Sequence, residues 1–183
     1  MSDQPWFVAI DMQRVFADPH SEWTAPRYAE VEPRVAQLAS AFGDRSVFTR
    51  FVAPAEPGGA WTAYYESFPW ALEPADHPLF ELTDAVSPLA RRTVHATTFG
   101  KWTPQLRAVV GDRPRLVVAG VATDCCVLST VLAAADAGAS VTVVTDACAG
   151  SSDDNHQKAL DVMALYQPLT SFLTTDEVLS RLA

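Results

Sequence analysis

Cys126 and Asp11 are the residues whose types and surroundings suit nucleophilic chemistry. Cys126 follows the apolar run Arg115-Leu-Val-Val-Ala-Gly120 and opens the periodic segment Asp124 to Ala137, so a thiol stands where a buried strand passes into a helix. Unpaired amides and the positive dipole end there favour a thiolate and offer donors to an oxyanion. A cysteine is more often an apolar filler; placement is what argues for a nucleophile. Asp11 closes the first apolar run, Trp6-Phe-Val-Ala-Ile10. A carboxylate at that strand end can pass a proton to a leaving nitrogen, although aspartate there is also a common turn former.

Positioning these groups is the task of alternating strands and helices. Val31, Val35, Leu38 and Phe42 recur at helical spacing between Arg27 and Phe42, with Gly43 as the stop. Ser46 to Arg50 and Arg92 to His95 read as strands, Thr103 to Val110 as a short helix entered through Pro104. Asp124 to Ala137 is a helix ended by Gly138, and Ser140 to Thr145 a strand ending at Asp146. Ser152 to Tyr166 is a further helix, Leu169 to Leu173 a last strand, and a short helix starts at Asp176. Such alternation predicts an α/β fold with a parallel sheet covered on both faces, its active site outside the carboxyl ends of the strands. Val52 to Pro78 reads as a long loop whose aromatics, Trp61, Tyr64, Tyr65, Phe68 and Trp70, roof a pocket.

Bulk properties narrow the function. The 183 residues fit one domain, taken as residues 1–183. A net charge of −9 disfavours nucleic acid and anionic membranes and leaves a small neutral or cationic substrate open. The start Met1-Ser-Asp-Gln-Pro5 shows no signal peptide and no apolar run is long enough to cross a membrane, so a cytoplasmic protein is expected. Three cysteines make no disulfide framework: Cys125 and Cys148 read as packing residues, and Asp146 as a holder of loop amides.

At this point the motifs resemble a known family. Ala9-Ile-Asp11-Met-Gln13 is similar to the opening motif of the isochorismatase-like cysteine hydrolases, and Gly120-Val-Ala-Thr-Asp-Cys-Cys126-Val-Leu-Ser-Thr130 to their nucleophile motif. Thr145-Asp-Ala-Cys-Ala149, followed by His156, looks like the segment that comes next. The resemblance implies a three-layer α/β/α, Rossmann-like fold with a six-stranded parallel sheet, and an Asp, Lys, Cys triad. It also implies a cis peptide at Val121-Ala122, with the amides of Ala122 and Cys126 as oxyanion hole. Asp11 becomes the acid/base and Cys126 the nucleophile. The third member departs from the pattern, because Ala96 occupies the strand-end position of the usual lysine. Lys101, in Phe99-Gly-Lys-Trp102, takes that role in our reading, with His95 as a second source of positive charge.

Expected substrate contacts are Gln13, Phe16, Trp23, Trp61 and Tyr65. No metal or other cofactor is expected, since the stretch Thr49-Arg-Phe-Val52 lacks the Asp-x-His cluster of nicotinamidase-type relatives. The reading is hydrolysis of a C–N bond in a small amide or carbamoyl compound, by a homo-oligomer, dimer or tetramer. Isochorismate-type vinyl-ether hydrolysis and a non-catalytic binding role are the alternatives.

Overall fold

The computed structural model describes residues 4–182; Met1 to Asp3, which carry part of the N-terminal reading, and Ala183 lie outside the described residues. Six parallel strands form one sheet: β1 (Trp6–Ile10), β2 (Ser46–Phe51), β3 (Thr93–Ala96), β4 (Arg115–Val121), β5 (Ser140–Ala149) and β6 (Thr170–Leu173). Their order is β3-β2-β1-β4-β5-β6. The central strands are apolar on both faces, with Phe7, Val8, Ala9, Ile10, Val118, Ala119 and Val121 fully buried. That is the signature of a parallel sheet sandwiched between helical layers.

The helices are α1 (Arg14–Ala17), α2 (Tyr28–Phe42), α3 (Ala60–Ser67), α4 (Pro104–Val110), α5 (Leu128–Asp136), α6 (Asp153–Ala164) and α7 (Thr175–Ser180). α2 covers β1, β4 and β5 through the predicted stripe of Val31, Val35, Leu38 and Phe42, with α7 beside it. From β1 the chain moves to β2 and β3, from β4 in the opposite direction to β5 and β6. Right-handed crossovers therefore put α2 and α5 on opposite faces, and α6 packs against α5.

Three expectations need correction. The segment after β2 is not a plain loop, because α3 runs through it behind the breaker Pro57-Gly-Gly59. β5 continues past Asp146 to Ala149, beyond an irregularity in its pairing between Val118 and Gly120. α5 starts at Leu128, because residues 123–127 form a wide turn in which the amides of Cys125 and Val127 both donate to Ala122 O at 3.1 Å. Among the described residues no helix is long and apolar enough to cross a membrane.

Candidate active site

β1 and β4 are neighbours at the point where the strand order reverses, and an open parallel sheet leaves a crevice there at the carboxyl ends. Asp11 follows β1 and the Cys126 turn follows β4, so both candidates emerge into that crevice. Two backbone features make the crossing possible. Gly120 has φ +120°, and a Cβ there would lie 2.1 Å from Ile10 O, so only glycine lets the strands close up. Asp11 adopts φ +48°, a left-handed conformation that costs a non-glycine residue free energy. The Val121-Ala122 peptide bond is cis.

The three candidate side chains Asp11, Lys101 and Cys126 lie below the surface. Lys101 Nζ lies 3.0 Å from Asp11 Oδ2, with the two side chains 1% and 0% exposed. Thr49 Oγ1 donates to Asp11 Oδ1 at 2.6 Å and accepts from the Asp11 amide at 3.1 Å, which fixes the carboxylate's orientation. Lys101 donates to Thr98 O at 2.6 Å, and its ammonium stands 5.0 Å from the Phe51 ring centroid. Thr130 ties the lysine to the turn that carries Cys126: it accepts from the Lys101 amide at 2.8 Å and donates to Cys126 O at 2.6 Å. His95, in contrast, is exposed and lines a separate depression with Arg14 and Arg50.

The electrostatics correct the expectation of a resting thiolate. Burial pushes the Cys126 thiol well above its ordinary range, the neighbouring Asp11 carboxylate adds to the shift, and the Lys101 ammonium opposes it. Burial is the largest of these influences. The free site therefore holds a neutral thiol facing a lysine–aspartate pair, a thiol whose proton has an acceptor at hand. Cys148 is buried and pushed up to about 12 by burial, as expected of a packing residue. Asp146 Oδ1 accepts from the amide and hydroxyl of Thr175.

Cys126 and Ala122 open onto a cavity of about 220 Å³. Phe16 and Trp23 line it, as expected, but Gln13, Trp61 and Tyr65 do not. Gln13 is fully buried and spends its amide on backbone: it donates to Phe51 O and Phe80 O and accepts from Phe51 N, each at 2.8 Å. Trp61 packs on Tyr64 and Phe99 with centroids 5.2 and 5.1 Å apart, and Tyr65 is 3% exposed behind Tyr64. Tyr64 and Phe68, expected among the roofing aromatics but not among the substrate contacts, line the cavity one turn apart on α3 and its cap, and the walls that sequence reasoning missed are Phe51 and Phe99. The i, i+4 spacing of Tyr64 and Phe68 puts both on one helix face. Cys125, read as packing, also lines the cavity. Among the described residues no three His, Cys, Asp or Glu side chains converge as a metal-binding set.

Sheet order, helical layers and a thiol, carboxylate and ammonium gathered at the switch point define a three-layer α/β fold with its candidate reactive centre between β1 and β4. The sequence matches the isochorismatase domain across residues 5–177, and the chain belongs to the isochorismatase family. Among solved structures it resembles a cysteine hydrolase from Pseudomonas syringae pv. phaseolicola 1448A, with TM-score 0.80 and 20% identity over 97% of this chain and 91% of that one. It resembles an isochorismatase-family putative hydrolase from Chromobacterium violaceum ATCC 12472, with TM-score 0.73 and 24% identity over 99% and 94%. A third similar structure is the nicotinamidase and pyrazinamidase of Acinetobacter baumanii, with TM-score 0.73 and 17% identity over 97% and 99%. At these identities the likeness establishes the fold.

Proposed function

We propose that the chain hydrolyses a carbon–nitrogen bond of a small amide or carbamoyl compound through a thioester on Cys126. One observation carries this reading: the buried Asp11 carboxylate sits 3.0 Å from the Lys101 ammonium, and both groups lie close enough to the buried Cys126 thiol to act on its charge. On attack, the sulfur bonds to the carbonyl carbon as its proton passes to Asp11, and the carbonyl electron pair moves onto oxygen. The amides of Ala122 and Cys126 hold that oxyanion. As the carbonyl re-forms, the C–N bond breaks and Asp11 returns the proton to the departing nitrogen. Water then attacks the thioester, its proton going to Asp11, and the C–S bond breaks. The released sulfur takes that proton back, which regenerates thiol and carboxylate. Lys101 keeps Asp11 able to alternate between acid and base without leaving an uncompensated charge.

A protein of the same fold described as a nicotinamidase and pyrazinamidase supports amide chemistry on this scaffold. The test is Cys126→Ala, assayed on a panel of amides and ureides for release of ammonia or amine. Turnover is expected to vanish, and a covalent acyl adduct on the wild-type chain is expected by mass spectrometry under acid quench. Undiminished turnover would overturn the mechanism, and retained cleavage of isochorismate by the variant would select vinyl-ether hydrolysis instead.

A further inference from the structure

The cavity over Cys126 is small and unusual in its lining. At about 220 Å³ it falls below the range of roughly 300–1,000 Å³ common for drug-sized ligands. Six aromatic side chains wall it: Phe16, Trp23, Phe51, Tyr64, Phe68 and Phe99. They form one connected cluster, with Trp23 contacting Phe16, Phe51, Tyr64 and Phe68 at centroid distances of 6.3, 5.5, 5.8 and 5.7 Å. Among the described lining residues the one carboxylate is Glu22, and no lysine or arginine contributes. Glu22 is exposed, so it marks the mouth, and its Oε2 accepts from Trp70 Nε1 at 2.5 Å. Trp70 in turn lies on Trp23, 4.9 Å between centroids. At the floor, the positive Lys101 is already matched by Asp11 at 3.0 Å.

We propose that this aromatic box with its single rim carboxylate recognises a cation, so that the substrate is a small amide bearing an alkylammonium group. The proposal rests on the C–N hydrolysis reading and names its substrate class. Aromatic ring faces attract cations, most strongly where water is excluded, and a nearby carboxylate adds to the attraction. A neutral hydrocarbon would gain contact with the rings but nothing from Glu22. An anion would be repelled by Glu22 and would meet no cation among the lining residues. The orientation follows from the fold: the carbonyl goes down to Cys126 and the ammonium sits among the rings beneath Glu22.

The experiment holds shape constant and varies charge. Betaine amide carries a trimethylammonium group where 3,3-dimethylbutanamide carries a tert-butyl group, and succinamate supplies an anionic comparison. kcat/KM is measured on the wild-type chain by ammonia release, and binding on Cys126→Ala by calorimetry. The cationic amide is expected to lead its neutral isostere by about tenfold in both measurements. Glu22→Gln should reduce that lead at least threefold and weaken the discrimination against succinamate. Equal or better performance of the neutral isostere or of succinamate overturns the proposal, as does failure of betaine amide to bind. Preferential binding of betaine amide with no turnover of any amide would sink the hydrolysis reading and leave cation recognition standing. Equal turnover of the charged and neutral isosteres would do the reverse.

Discussion

Asp11 raises the pKa of the Cys126 thiol and Lys101 lowers it, so substitutions at these two positions should move the thiol in opposite directions. Asp11→Asn removes a negative neighbour and frees the ammonium to pair with sulfur. Iodoacetamide labelling of Cys126 at pH 8 is therefore expected to accelerate in this variant, while kcat falls by about 10²–10⁴-fold with loss of the proposed proton carrier. Lys101→Met removes the neighbouring positive charge that favours the thiolate, so labelling should slow and its midpoint move further alkaline. That variant also leaves a buried carboxylate unpaired, which should lower stability by about 3–5 kcal/mol in urea unfolding. Cys126 and Asp11 were legible in the sequence because strand ends and helix starts can be read from apolar runs. Gln13 was misread because one side chain serving Phe51 and Phe80 leaves no local pattern. Lys101 was a choice by elimination, since nothing in Phe99-Gly-Lys-Trp102 reveals that Thr98 and Thr130 hold it inward.

Thr130 shows how an element enters the chemistry: one hydroxyl on α5 joins the turn carrying Cys126 to the backbone of Lys101. Thr130→Val keeps the shape, removes both bonds and leaves the Lys101 amide without its partner. A stability loss of about 1–3 kcal/mol is expected, with kcat reduced more than KM is raised and Thr130→Ser restoring both. Gly120→Ala tests the β1–β4 contact. Its Cβ would meet Ile10 O at 2.1 Å at φ +120°, so a loss of about 3 kcal/mol or more is expected by thermal or urea unfolding. Strands and the helices α2 and α6 were legible because their periodicities are long and their caps are local. α3 was not, because three residues of Pro57-Gly-Gly59 and a dense run of aromatics conceal a helix that exists mainly to pack rings against Trp23 and Phe99. The extension of β5 to Ala149 was hidden because it depends on an irregular register with β4.

At the scale of the whole molecule, the charge of −9 produces a field that draws cations and repels anions. With betaine amide as substrate, kcat/KM is expected to fall as ionic strength rises from about 0.01 to 0.15 M, over which the Debye length shortens from about 30 to 8 Å. The neutral isostere should show little change over the same range, and an equal salt response for both would argue against long-range attraction. The sheet order has a consequence for how the chain is made. β1 lies between β2 and β4, so Trp6 to Ile10 find half of their ladder only in Leu116 to Gly120. During translation β1 leaves the ribosome with one flank unpaired and its apolar face open until the segment through β4 has followed. Cys126 emerges later still, so its thiol meets the Asp11 carboxylate only once β4 has paired with β1, and a nascent chain stalled before β4 carries the open edge without the candidate site.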